Sequence, residues 1–416
     1  MKFFFPDSLD FVDPNFDFVS EKKTILRVRQ RDDVYAHELL NRPYDGILMS
    51  KAIVEGVPGV TSKTRYTEGQ RYRLFREGAH RFFRLNNRYE VMGDSGAFSY
   101  AKEEKPPYTV DELIEFYVKT GVNQGVSLDH IVFGYRDDRS SNRYSLPEDK
   151  ELRVEMTLEN AAEFLKTAKG NNFVPYGVAQ GWDLQSYVKS VLSLQKMGYK
   201  YITMGGIITL DSIQICRLLE EVKHASTRDI RIHLLGIGRI GLIDKFKSLN
   251  VYSLDTTTPL KQAFLDPKKN YCFGSKTYSA IRVPQSSDNQ AVKREISSGR
   301  LDQELVKDRE AKALDSLRNY DSGRLDLEST LDSVLSYESL LSSRQDILRT
   351  QYKETLKDKP WKTCSCPICR KIGIEVMIYR GSERNKRRGF HNLNNFYKEM
   401  LRSNDEEGCI KGRAMQ

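Results

Sequence analysis

The feature that most constrains this chain is an alternation that runs unbroken from Lys2 to Leu254. Short apolar runs at Lys2 to Phe5, Gly46 to Ser50, Tyr89 to Met92, Gly125 to Leu128, Val174 to Val178, Tyr201 to Met204, Ile230 to Leu235 and Val251 to Leu254 read as eight strands. Between them lie helical patterns with recognisable starts. TVDELIEFYVKTG opens on Thr109 with Glu112 three residues on, a capping box, and sets Leu113, Phe116 and Tyr117 on one face. DLQSYVKSVLSLQKMG and TLDSIQICRLLEEVKHA repeat the design, with Asp183 and Thr209 as caps. Strand and helix alternating eight times at short connection lengths predict an α/β fold, the (β/α)8 or TIM barrel, with a doubly wound open sheet as the competitor.

At 416 residues, 39% hydrophobic and 30% charged, the chain can bury a large core. No apolar run reaches the roughly 18 to 20 residues of a membrane helix, and MKFFFPDSLDF is too short for a secretory signal. The expectation is a cytoplasmic protein with no membrane partner. Six cysteines without a disulfide ladder fit a reducing compartment. A net charge of +9 tilts the expectation toward a polyanionic partner without naming one.

The pattern changes near residue 286. We expect residues 1–285 to form the barrel, 286–358 a charged helical insertion with an apolar stripe including Leu331, Val334, Leu335 and Leu340, and 359–416 a metal-binding subdomain ending in a helix around Asn392 to Leu401. The last assignment rests on CSCPIC. Cys364, Cys366 and Cys369 lie within six residues, and 21 residues separate Cys369 from His391. Three thiolates and one imidazole are the donor set of tetrahedral Zn2+, and four protein ligands leave no open position, so the site is expected to be structural. Cys216, Cys272 and Cys409 are scattered and have no ligand spacing.

In such a barrel the chemistry sits at the C-terminal ends of the strands. Those ends present Pro6 and Asp7, Asp94 in GDSGAF, Asp129 in SLDHI, Gln180 in GVAQG, Gly205 and Gly206 in TMGGI, and Asp255 in SLDTTTP. A lone Asp after a strand is often a helix cap; four on one rim are not so easily dismissed. Two carboxylates in different environments can exchange a glycosidic bond, one attacking the anomeric carbon and the other handling the leaving group's proton. Ser95 and Gly96 after Asp94 permit a tight turn and close approach of a flat ligand, while the threonines after Asp255 offer a polar rim that keeps it ionised. GIGRIG, Gly236 to Gly241, imitates a dinucleotide fingerprint, with Asp255 placed 19 residues past its first glycine. It comes late in the chain, however, and precedes a short helix.

DSGAF, GVAQG, TMGGI, LLGIG and SLDTTTP, in that order and followed by CxCxxC and a distant His, resemble the signature of tRNA-guanine transglycosylases. MKFFFPDSLDFVDP and VRQRDDVYAHELL look more like the DNA-modifying branch, the DpdA-type enzymes. The resemblance implies that Asp255 is the nucleophile and Asp94 the acid/base. It implies that Asp129, Gln180, Gly205 and Gly206 read the edge of a guanine-like base. It also implies exchange of guanine in DNA for a 7-deazaguanine such as 7-cyano-7-deazaguanine, with tRNA as the alternative substrate or a non-catalytic partner subunit as the alternative role. Two departures stand out: DSGGF of the family is DSGAF here, and the arginine of the usual Pro-Thr-Arg is missing from DTTTPL. An accessory ATPase and a homodimer are left open.

Phosphate contacts are expected from Arg384, Lys386, Arg387 and Arg388 in the basic run between the third and fourth metal ligands, and less from Arg65, Arg71, Arg73, Arg76 and Arg81. His37, His80, His130, His224 and His233 have no ligand spacing and read as structural or surface residues, with His130 a weak candidate for the pocket because it follows Asp129.

Overall fold

The computed structural model describes the chain except residues 60–64, 137–147, 228, 288–289, 342–344 and 414–416, and omits the side chains of 148, 291, 345–346 and 403–413, Cys409 among the latter. Its contacts divide the chain into two units: residues 1–9, 44–257 and 400–416 form one, and residues 10–43 and 258–399 the other.

The first unit is a closed parallel barrel of eight strands. We label them β1 (Lys2–Pro6), β2 (Gly46–Ser50), β3 (Glu90–Asp94), β4 (Gln124–Val126), β5 (Val174–Ala179), β6 (Tyr201–Met204), β7 (Arg231–Leu234) and β8 (Val251–Asp255). Each pairs with its neighbour in sequence, and β1 closes the ring by pairing Lys2 with Ser253 of β8 and Phe4 with Gly46 of β2. All eight strands were expected from the apolar runs, within about three residues at either end, and closure excludes the open sheet. The interior is filled by Phe4, Leu48, Met92, Val126, Tyr176 and Val178.

Helix Val110–Thr120 begins on the capping box of Thr109 and Glu112, and Asp183 caps Leu184–Met197. The third cap differs. Helix Ser212–Ala225 starts on Asp211, whose side chain accepts from the Gln214 N–H, while Thr209 ends a preceding 3-10 turn, Ile207–Thr209. A carboxylate closer to the first turn outcompetes the hydroxyl two residues earlier.

Glycines let one helix register two site-bearing strands. A Cβ on Gly93 would lie 2.4 Å from the Tyr117 ring and one on Gly125 2.7 Å from it, and the Tyr117 hydroxyl donates to the Val126 carbonyl at 2.7 Å. Helix Val110–Thr120 thereby sits directly on β3 and β4, whose ends carry Asp94 and lead into Asp129.

In the second unit, helices Gln290–Ser297, Gln303–Asp321, Leu327–Glu338 and Gln345–Asp358 make up the charged segment. Leu331, Val334 and Leu335 are buried as expected, and Leu340 lies beyond the helix end, half-buried. The division of contacts does not follow the three expected segments. Residues 258–285 belong to this unit because strand Ile281–Arg282 pairs with Ile378–Tyr379 and Thr355 donates to the Ser279 carbonyl, and residues 10–43 because Arg380 pairs with Glu21 and Arg387 donates to the Asp13 carbonyl. The basic run between the third and fourth metal ligands is the start of a long helix, Gly381–Arg413, which absorbs the expected terminal helix.

Among the described residues no helix is long and apolar enough to cross a membrane.

Candidate active site

The C-terminal ends of the barrel strands bring Asp94, Ser95, Asp129, Gln180, Gly205, Gly206 and Asp255 to one mouth. Ser95, Asp129 and Gln180 form a hydrogen-bonded chain. The Asp129 carboxylate accepts from Ser95 Oγ at 3.1 Å and from Gln180 Nε2 at 2.8 Å, while Tyr100 donates to Ser95 Oγ at 2.7 Å and stands 3.0 Å from the Asp129 carbonyl. Gln180 Oε1 accepts the Val132 N–H at 3.3 Å, which fixes the orientation of the amide. The glycine pair exists for this side chain. A Cβ at Gly205 would stand 2.2 Å from Gln180 Nε2, and one at Gly206, whose φ is +71°, 2.7 Å from Gln180 Oε1. Gly96 likewise has φ +80°, and a Cβ there would lie 2.8 Å from that of Ala52. The backbone turn after Asp94 therefore requires glycine at 96, whereas Ala97 opens a 3-10 turn, Ala97–Tyr100, that tolerates its methyl.

The rim carboxylates sit in different environments. Burial pushes the Asp94 carboxyl up to about 7, against a hydrogen bond from Ser50, and the charges of Asp255 and Asp129 push it further the same way. Its Oδ1 is enclosed and accepts no hydrogen bond. Burial also raises Asp129, to about 6, against the bonds from Gln180 and Ser95. Asp255 is buried, but its Oδ1 accepts the Gly236 N–H at 3.0 Å. Asp7, the fourth rim acid, is tied to the Tyr66 hydroxyl at 2.6 Å and to the Leu9 N–H at 3.1 Å.

His233 was read as structural, and the structure sets it against Asp255. Its ring is fully buried in the barrel interior, edge-on to Phe4 and Tyr176. Nδ1 lies 2.9 Å from Ser253 Oγ, and Nε2 lies 3.3 Å from Asp255 Oδ1 without the alignment of a hydrogen bond. Its position on β7 facing inward, between Ile232 and Leu234, was the available signal: a polar residue inside an apolar strand. His130, by contrast, is held away from ligand duty by the Glu103 carbonyl at 2.8 Å and Arg153 at 2.9 Å.

GIGRIG serves the same mouth. Gly236 donates to Asp255, a Cβ at Gly238 would stand 2.3 Å from Thr256, and the helix that follows, Ile243–Ser248, has six residues. The glycines are occupied with Asp255 and its neighbour rather than with a helix start fit for a pyrophosphate.

No family model matches the chain. A curated relative from Salmonella montevideo named DNA-guanine transglycosylase is 48% identical over 414 residues, covering 98% of this chain and 99% of the relative. The chain belongs to the DNA-guanine transglycosylase family. It is a glycosyltransferase-type enzyme.

This DNA-guanine transglycosylase family member also carries a candidate metal centre in its second unit. One ligand atom each from Cys364, Cys366, Cys369 and His391 lie within 4.8 Å of one another, all four residues buried. His391 Nδ1 is 3.4 to 3.6 Å from the three sulfurs, as atoms sharing one tetrahedral ion would be. Its other nitrogen lies 2.6 Å from the Cys272 carbonyl, and the ring stacks on Tyr271 at 4.0 Å, which fixes its tautomer and plane. The donor set can hold a metal ion.

The basic run beside it is not exposed. Arg384, Arg387 and Arg388 are buried. Arg384 pairs with Glu21 and with Glu375 at 2.7 Å, Arg387 with Glu383 at 2.8 Å and the Asp13 carbonyl at 2.5 Å, and Arg388 donates to the carbonyls of Ala263, Val376 and Ile378. Lys386 is half-buried, 3.8 Å from Asp10 and over the Phe11 ring. These groups were expected to meet phosphate; their donors are spent inside the unit, because one helix turns its basic face onto the segment of residues 10–43. Of the earlier cluster, Arg71 and Arg73 bond the Glu55 and Phe82 carbonyls and Arg76 pairs with Glu77, leaving Arg65 and Arg81 exposed.

Proposed function

We propose that this enzyme exchanges guanine in DNA for a 7-deazaguanine, 7-cyano-7-deazaguanine being the expected base, through a covalent glycosyl intermediate on Asp255. The observation that carries this reading is the split between the two rim carboxylates: Asp94 is pushed up to about 7 with an unpartnered Oδ1, and Asp255 is oriented by a backbone N–H. The relative's name supplies the substrate class.

In the first half-reaction an Asp255 carboxylate oxygen attacks C1′ of deoxyguanosine as the bond to N9 breaks. Protonated Asp94 gives its proton to the departing base. In the second, Asp94, now ionised, takes the N–H proton of the incoming deazaguanine, whose nitrogen attacks C1′ and returns the carboxylate of Asp255. Two inversions give net retention. Asp129 would accept from the amino and ring N–H edge of the base, with its position held by Gln180 and Ser95. His233, with Nε2 3.3 Å from Asp255 Oδ1, would hold Asp255 in its attacking orientation. Zn2+ is the proposed occupant of the Cys3His centre, where it would stabilise the second unit and take no part in the reaction.

The test is nucleoside mass spectrometry of DNA incubated with enzyme and 7-cyano-7-deazaguanine. Deazaguanine in DNA, together with a protein–DNA adduct that survives denaturation when the incoming base is withheld, supports the proposal. Deazaguanine in tRNA alone would overturn the substrate, and exchange without an adduct would overturn the covalent route. Elemental analysis finding roughly one zinc per chain supports the metal; another metal or none refutes it.

A further inference from the structure

The buried arginines raise a question of what they support. Arg380 and Arg384 both clamp Glu21, at 2.6 Å for Arg380; burial works against the Glu21 charge, but the two guanidinium groups hold the carboxyl down to about 2. Arg384 and Arg318 donate to the Phe18 carbonyl at 2.7 and 2.9 Å, and Arg387 to that of Asp13. All these contacts hold one loop, residues 13–33, closed at its base where Phe11–Val12 pairs with Val34–Tyr35.

The loop is also fixed from within. Buried Asp13 accepts from the Thr24 N–H at 2.7 Å and from its hydroxyl at 2.8 Å; buried Asp33 accepts from Arg27 and from the Gln30 N–H at 2.6 Å; Asp32 accepts the Val28 N–H at 2.7 Å. This ordered frame presents apolar side chains to solvent. Ile25 is 87% and Leu26 93% exposed, with Val28 at 46%. Leu26 has φ +60°, a left-handed backbone that L-residues with a branched side chain rarely adopt. Lys22 and Lys23 flank the tip, both exposed, and Arg29, also exposed, lies nearer the loop's base with its guanidinium over the Phe11 ring at 5.3 Å; no carboxylate pairs with these three among the described residues. A loop tied down by buried ion pairs and strained at its tip is holding that tip for contact.

We propose that this tip is a duplex-DNA contact, in which Lys22, Lys23 and Arg29 meet phosphates and Ile25 and Leu26 press as an apolar wedge against a base step. The charges fit a polyanion, and paired aliphatic side chains flanked by cations are how proteins unstack and kink a duplex. Unstacking suits an enzyme that must take a base out of the stack to reach its glycosidic bond. The inference rests on DNA as the substrate.

The experiment uses the full chain and a duplex carrying 2-aminopurine, whose fluorescence rises on unstacking, over a series of salt concentrations, with labelled-guanine exchange measured alongside. K22Q/K23Q should flatten the slope of log affinity against log salt by about 1.8, two phosphate contacts at about 0.9 each. I25S/L26S should keep that slope, lose the fluorescence rise and raise KM for DNA. The tip side chains are exposed, so thermal midpoints should stay at the wild-type value. Wild-type slope and fluorescence in both variants would overturn the proposal. So would binding to phosphatidylserine vesicles that exceeds DNA binding and is lost in I25S/L26S, since the tip would then serve a lipid surface. Wild-type protein that exchanges no guanine into DNA would sink the functional reading itself, whereas wild-type exchange with unaltered variants sinks only the tip.

Discussion

The buried arginines of the second unit and the polar groups at the barrel mouth are satisfied to different degrees. Around Arg384, Arg387 and Arg388 the guanidinium groups meet carboxylates or carbonyls of their own unit. At the barrel mouth, Asp94 Oδ1 and His233 Nε2 are buried with no hydrogen bond. Burying a polar group without a partner costs about 1–3 kcal/mol, so a folded protein keeps such atoms where something else completes them. The arginine cluster is internally satisfied, whereas the mouth keeps unpartnered polar atoms on Asp94 and His233.

Substitutions can break this contrast. The largest effect is expected from Asp255→Asn, which should lower exchange by about 10⁴-fold or more while leaving the denaturation midpoint in place; activity near wild type would remove Asp255 from the chemistry. Arg384→Leu should do the reverse. It takes one of two cations from Glu21, which keeps Arg380, and one of two from Glu375, which keeps Arg318, at a cost of about 3 kcal/mol in urea unfolding, with the salt slope of DNA binding unchanged; a flattened slope in a stably folded variant would return this arginine to the DNA interface.

His233→Asn sharpens the contrast within the barrel. It should reduce kcat by about 10²-fold through misplacement of Asp255, with KM for the base nearly constant; an unaltered kcat would make the histidine simple filling. The smallest effect concerns Asp94. Its folded value of about 7 lies above the ordinary carboxylate value of 3.8. Below the lower value both states hold the proton; between the two the unfolded chain releases it first, so this carboxyl lowers stability progressively as pH rises toward 7. Asp94→Asn should therefore melt a few degrees higher than wild type at pH 8 and lose that margin near pH 4. A margin independent of pH would show that the carboxyl is not held against its ionisation.

Much of the fold was legible because its signals are local. Period-two and continuous apolar runs marked every barrel strand, and the capping boxes at Thr109 and Asp183 marked helix starts, since a cap acts over three residues. CxCxxC was legible for the same reason. Thr209 failed as a cap because Asp211, two residues on, offered the stronger acceptor. The rim acids could be placed from strand ends alone, because a parallel barrel sends every C-terminal end to one side.

By itself, then, the sequence determined the barrel, the acids on its rim and the Cys3His cluster, all of which follow from spacing along the chain. Only the tertiary structure decided which charges were free. Arg384 meets Glu21 across 363 positions and Arg387 meets Asp13 across 374, so a run that reads as a solvated basic patch is buried by a segment far away in sequence. His233 and Asp255 are partners because β7 and β8 are neighbours in the ring. Burial is a property of everything that packs around a residue, and it settles whether a charge binds a ligand or the protein itself.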